Sequence, residues 1–265
     1  MDFLLECIGF PPDQDLDLLA DRVAAQGEPT PWRGPRGRHL RLPLTGGLEV
    51  QLDQEEHEER PSLWPHYRAP GRLRVEVGTL TEVPDSPFDV LLVGIANPPT
   101  PGQPPELREE FPLCTYLTDR RRLPRETPRG HVLAVSTAGF ALDVGFVGPN
   151  EGVRDPQILE FPCGALFLPL GGPGGSQDPG GCMEISVRIR QVRHLENPLT
   201  GLPVAVLEVD APGRPLQLFV SRWQLEVDDL PQPRPGWRIE GCFLFTGRVA
   251  GGLPPARPRR RRAFG

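Results

Sequence analysis

Lysine is absent from this chain, and all 29 residues counted as lysine or arginine are arginine. Without a lysine amine there is no Schiff-base chemistry, no pyridoxal anchor, no phosphate-loop or kinase lysine and no Ser-x-x-Lys acylation. Asn, Ile and Tyr are scarce while Arg, Pro, Gly and Ala abound, the composition of a GC-rich, bacterial-like coding sequence. The cysteines, Cys7, Cys114, Cys163, Cys182 and Cys242, are odd in number and widely spaced. That excludes a C-x-x-C motif and argues against a disulfide framework. No basic-then-apolar leader opens the sequence, and no uncharged apolar run approaches the ~18–20 residues that span a bilayer. The expectation is a soluble, cytoplasmic protein with no membrane partner.

Proline and glycine are plentiful, at 35 and 30 of 265 residues. Much of that content falls in punctuation. Residues 98–105 read Pro-Pro-Thr-Pro-Gly-Gln-Pro-Pro, 171–181 are glycine-rich, 231–236 are proline-rich, and the chain ends in an arginine-rich tail. Between them lie periodic apolar segments. Residues 3–10 form a short apolar run that reads as a strand. Leu16, Leu19, Ala20, Val23 and Ala24 fall at helical spacing behind Asp13 or Asp15 as a cap. Residues 39–44 and 48–52 alternate around Thr45-Gly46-Gly47 as a hairpin, with the two leucine-rich sets assigned to separate faces. Further strands are expected at 73–77, 88–95, 131–135, 140–146, 165–168, 184–192, 204–209, 216–220 and 237–245. A bulge is expected near Gln191, and Gly241 marks a bend. No internal repeat is visible.

The fold class these segments predict is α+β to mostly β. An α+β domain covers 1–97, a linker 98–106, a β-rich middle region 107–181, a small barrel 182–249 and an arginine-rich, disordered tail 250–265. By the order of its strands, the region 182–249 resembles an OB-type barrel, with an SH3-like barrel as the alternative. The strand–helix–strands order of residues 3–52 resembles half of a vicinal-oxygen-chelate module. That resemblance makes Glu6 and Glu49 the nearest ligand positions, but the first strand carries no histidine and no metal ligand is assigned.

Complete catalytic motifs are missing. His57 and His66 stand among Glu55, Glu56, Glu58 and Glu59 without H-E-x-x-H spacing, so the stretch reads as a solvated acidic loop. Ser136 lacks the first glycine of a nucleophile elbow, because Ala134 occupies that position. Cys114 or Cys163 with His131 is a pairing that sequence cannot orient. The loop 171–181 lacks the Lys-Ser/Thr ending of a phosphate loop, and Pro173 removes a backbone donor. No catalytic residue and no cofactor is therefore assigned.

The leading expectation is a non-enzymatic binding or accessory protein with a protein partner. The first alternative is single-stranded nucleic-acid binding through the C-terminal barrel. Arg188, Arg190, Arg193, Arg222 and the tail residues Arg257, Arg259, Arg260, Arg261 and Arg262 would meet phosphates, and Phe219 and Trp223 would stack on bases. The formal charge of −6 opposes this. Without the five tail arginines, the remainder stands at −11. The second alternative is a metal-dependent enzyme built on the first domain.

Overall fold

A computed structural model describes residues 2–30, 37–83, 86–124, 127–149, 164–170 and 181–253. Strands dominate, as the periodic segments predict. In chain order they are β1 (Glu28–Pro29), β2 (Gly37–Pro43), β3 (Leu48–Glu55), β4 (Ser62–Tyr67), β5 (Leu73–Val83), β6 (Ser86–Ala96), β7 (Phe111–Leu117), β8 (Val132–Val147), β9 (Leu166–Pro169), β10 (Cys182–Glu196), β11 (Pro203–Val209), β12 (Leu216–Val220) and β13 (Arg238–Gly251). The α-helices are α1 (Leu16–Gln26) and α2 (Arg222–Val227). No helix among the described residues is long and apolar enough to cross a membrane.

The first sheet has the order β1-β2-β3-β4. Leu40 lies opposite Leu52 and Leu42 opposite Val50, so the two leucine-rich sets share one face rather than two. That face packs under α1, whose Leu19, Ala20 and Val23 are buried. Asp15 caps the helix by accepting from the Leu18 N–H at 3.0 Å, satisfying a donor that has no partner within the helix. Residues Asp2–Ile8 form a 3-10 helix where a strand was expected. Leu4, Leu5, Cys7 and Ile8 are buried while Phe3 is half exposed, a three-residue period that a short apolar run disguises. This turn seats on the C-terminal third of the chain. Asn197 donates to the Ile8 carbonyl at 2.8 Å, Thr200 to that of Gly9 at 2.7 Å, and the Ser221 hydroxyl to Glu6 at 3.0 Å.

The second sheet runs β11-β12-β8-β5-β6-β7-β13-β10-β9, with further pairings β11–β10 and β8–β13. Strands from both sides of 98–105 therefore lie in one sheet, and β6 and β7 are antiparallel neighbours. The fifth strand beside β10, β11, β12 and β13 is β8, while Leu166–Pro169 pairs only on the outer side of β10.

These pairings repeat. The set β5-β6-β7-β8 has the connectivity of β10-β11-β12-β13, and its register is reproduced. Glu76↔Val132 corresponds to Arg188↔Arg238, Val77↔Gly94 to Ile189↔Val209, Gly94↔Leu113 to Val209↔Leu216, and Tyr116↔Thr246 to Phe219↔Phe140. Both sets carry a bulge at the same step, Val77/Thr79 and Ile189/Gln191, the second beside the expected Gln191. Both long strands are entered by the same turn. Val77 N–H bonds the His131 carbonyl as Ile189 N–H bonds that of Trp237, and the Gly130 and Gly236 N–H groups return to Val77 and Ile189. The approximate two-fold axis passes through the pair Gly139↔Phe245 of β8 and β13. Each long strand also runs parallel to the third strand of the other set.

Candidate functional site

The alternating register of the first sheet leaves a second face. On it His39 lies opposite Asp53, Arg41 opposite Gln51, Glu49 opposite His66, and Gln51 opposite Trp64. Alternation alone would turn such a face to water. Here His39, Glu49, Gln51, Asp53 and His66 are all buried. The cover is the β6–β7–β13 part of the second sheet, which brings Phe88, Asp89, Tyr116, Thr246 and Arg248 to the interface.

Glu49 is the centre of this layer. It is 2% exposed and accepts from Arg248, whose side chain is 11% exposed, and from Arg68 at 2.9 Å, whose side chain is 70% exposed. His39 contacts Asp53 through Nδ1 and stacks on Phe88 with ring centroids 5.5 Å apart. Gln51 donates to the other Asp53 oxygen at 2.6 Å. His66 Nδ1 lies 3.3 Å from the Thr246 hydroxyl, and Trp64 tilts against Tyr116 at 6.0 Å. Below them the Thr115 and Thr137 hydroxyls meet at 3.1 Å, and Thr137 donates to the Thr246 carbonyl at 2.9 Å. Asp119, just beyond β7, accepts from the Val249 N–H at 3.1 Å, and Ser86 donates to Asp89 at 2.7 Å.

Burial sets the protonation states. It pushes the Asp89 carboxyl up to about 8, with the nearby Asp53 charge adding to the effect. It raises Asp119 as well. It holds His66 well below the ordinary histidine value, assisted by the Arg248, Arg41 and Arg68 charges. It lowers Arg41 to about 10, which leaves that guanidinium charged at neutral pH. The layer thus contains a neutral imidazole, a protonated carboxyl and paired charges. Arg41 Nε and Nη2, Arg248 Nε, Gln51 Oε1, Asp89 Oδ1 and Asp119 Oδ2 are buried without a hydrogen-bond partner. A buried layer with both donors and acceptors of this kind suits small polar guests such as bridging waters.

No protein-family model, curated protein or solved structure matches this chain. The site therefore rests on its geometry alone.

The two-fold relation shows how one-sided the layer is. Thr115, Thr137 and Thr246 correspond to Leu218, Phe243 and Phe140 in the other set, all six being buried. Thr246 turns its hydroxyl to the polar face of the first sheet, while Thr115 and Thr137 lie on the opposite face of their strands and pair with one another. Apolar side chains line the half that meets the N-terminal turn.

The residues singled out for nucleic-acid binding are dispersed. Arg188 and Arg190 are exposed on β10, and Arg190 pairs with Asp210 at 3.1 Å. Arg193 donates to the Tyr67 hydroxyl at 3.3 Å. Arg222 pairs with Glu226 at 3.0 Å and lies over the Trp223 ring, 5.6 Å from its centroid. Phe219 is fully buried, stacked on Phe140 at 5.1 Å with Tyr67 at 4.9 Å, because β12 is covered on both faces. Arg257, Arg259, Arg260, Arg261 and Arg262 lie outside the described residues, as does Cys163.

Other candidates part company. His57 is exposed in the turn after β3 while His66 is buried on β4. Among the described residues no group of three or more His, Cys, Asp or Glu side chains has the geometry to hold a metal ion. Ser136 donates to the Ala69 carbonyl at 3.2 Å, and the His131 ring meets the Gly252 carbonyl at 2.5 Å. Glu6 accepts from the Ser221 hydroxyl, and Glu49 accepts from two arginines. Sequence reasoning passed over Arg41, Gln51, Asp53, Asp89, Asp119 and Arg248. The one available signal was the polar set of the alternating hairpin, of which only Glu49 had drawn notice.

Proposed function

We propose that this chain is a non-enzymatic binding or accessory protein acting through a protein partner. The observation that carries the reading is the mutual pairing inside the polar layer. Glu49 is met by Arg68 from its own sheet and by Arg248 from the other, His39 by Asp53 within the first sheet, and Asp119 by a backbone N–H within the second, so these groups are committed to the scaffold and the Glu49–Arg248 pair fastens one sheet to the other. Groups committed in this way orient a scaffold rather than a reacting molecule. The test presents full-length protein with chromogenic ester, phosphomonoester and glycoside substrates, beside Asp89→Asn and His66→Gln. The expected outcome is no difference between the three proteins, together with a stoichiometric protein partner on size-exclusion chromatography. Turnover that both substitutions abolish would overturn the reading.

A second reading is single-stranded nucleic-acid binding. It is favoured by exposed Arg188 beside Arg190 on β10, and by the pairings β10–β11–β12–β8–β13 that return to β10, read as an OB-like barrel. The arginine-rich tail would add a sequence-independent, salt-sensitive anchor. Fluorescence anisotropy with a labelled oligonucleotide decides it. Binding should weaken with salt and with deletion of 257–265. It should also weaken in Arg188→Ala/Arg190→Ala. Absence of binding at low salt, or binding untouched by these changes, would sink it.

A further inference from the structure

Cysteines sixty residues apart in the sequence meet on adjoining strands. In the β10–β13 register Cys182 lies opposite Leu244 and Cys242 opposite Glu184, so the two thiols are diagonal neighbours on one face of the pair. Both side chains are half-buried, in contrast to the fully enclosed Cys7 and Cys114. The surroundings differ in charge. Cys242 sits in a row between two carboxylates, Glu184 opposite it on β10 and Asp143 opposite it on β8.

We propose that Cys182 and Cys242 form a reversible dithiol–disulfide site, with Cys182 as the attacking thiol, Cys242 as the resolving thiol, and a small-molecule disulfide of the glutathione type as co-reactant. Two features set the direction. A hydrogen bond from Cys242 holds the Cys182 thiol below the ordinary cysteine value, against the opposing effect of burial. Donating that bond, burial and the neighbouring negative charges hold Cys242 above it. The nucleophile in thiol–disulfide exchange is the thiolate.

The exchange balances in two steps. Cys182 gives up its proton, and its thiolate attacks one sulfur of the small disulfide. A Cys182 mixed disulfide forms, and one small thiolate leaves, taking a proton to become the thiol. Cys242 then loses its proton and attacks the Cys182 sulfur, expelling the second small thiol, which carries that proton away. Two protein thiols are oxidised to one disulfide while one small disulfide is reduced to two thiols. The product staples β10 to β13 beside β9, and excess dithiothreitol reverses it.

The test uses the pre-reduced full-length chain with excess glutathione disulfide at about pH 8, where exchange is brisk, followed by alkylation and non-reducing peptide mapping. Wild type is expected to lose two alkylatable thiols and yield a Cys182–Cys242 cross-link. Cys242→Ser should accumulate glutathione on Cys182, and Cys182→Ser should give no cross-link. Cys114→Ser and Cys163→Ser should still form it. Limiting N-ethylmaleimide on unmodified protein supplies a check free of substitutions, and Cys182 should react about tenfold faster than Cys242. The proposal is overturned if wild type keeps all its thiols, if Cys182 pairs with Cys114 or Cys163, or if Cys242 is labelled first.

Discussion

Two arginines reach Glu49 from unequal depths, and depth decides what each contributes. Arg248 is enclosed with the carboxylate, so Arg248→Ala leaves a buried charge with only one partner from the rim. The expected loss is ~3–5 kcal/mol. Arg68 is mostly in water, and Arg68→Ala should cost ~1 kcal/mol or less. Urea midpoints at constant m-value would measure both, and equal losses would contradict this account of the layer. The titratable neighbours add a pH signature. Asp89 binds its proton more tightly when folded, up to about 8 against an ordinary value near 4. Its contribution to stability is fully present below about 4 and is lost as pH rises to about 8, with a slope of at most ~1.4 kcal/mol per pH unit for one proton. His66 acts in the opposite sense. Its proton affinity is depressed on folding, so its contribution is present above about 6.5 and is lost as pH falls below that. Thermal melts should therefore decline on both sides. Asp89→Asn should flatten the alkaline side, and His66→Gln should flatten the acid side.

Elements were legible wherever one period ruled. The cap at Asp15, the hairpin around residues 45–47, the strands 204–209 and 216–220 and the bulge beside Gln191 all follow from alternation, helical spacing and turn chemistry. What alternation cannot say is what covers each face. The polar set His39, Arg41, Glu49, Gln51 and Asp53 carries no trace in its own sequence of β6, β7 and β13 on the far side. Phe219 read as exposed for the same reason, although its strand is enclosed on both faces. Gly241 was legible as a bend, and the structure gives it a use. Its φ is +141°, and a Cβ there would stand 2.1 Å from the Asp143 carbonyl oxygen, next to the shift in register at Cys242/Phe243. Gly241→Ala should destabilise by at least ~2 kcal/mol through backbone strain. Differential scanning calorimetry would show the lowered midpoint, and an unchanged melt would mean that β13 can straighten without loss.

At the scale of the whole molecule, the repeat between 73–147 and 182–251 escaped the sequence because backbone register needs little side-chain identity. Gly130 and Gly236 recur, but His131 stands where Trp237 stands, and Thr246 where Phe140 does. The hydrophobic positions persist as a pattern while the residues diverge. The division of labour among strands leads to a prediction. β8 pairs with β5 of its own set and with β12 and β13 of the other, so neither set can complete its pairings alone. Residues 73–149 expressed by themselves should lack a cooperative unfolding transition by circular dichroism. The full chain should melt in one step by both far-ultraviolet and aromatic signals. A fragment that melts cooperatively as a monomer would refute the claim.

The axis through Gly139↔Phe245 has a consequence for ancestry. A single four-strand unit that associated with its own copy would place two identical long strands antiparallel across a dyad. Each would lie parallel to the other's third strand, the mutual exchange seen here within one chain. Joining the copies into one polypeptide frees them from having to stay identical. One half of this molecule has phenylalanine and leucine where the other has threonine hydroxyls, one of which, that of Thr246, meets His66. The polar layer is thus an asymmetry that a symmetric pair of identical subunits would have had to carry twice.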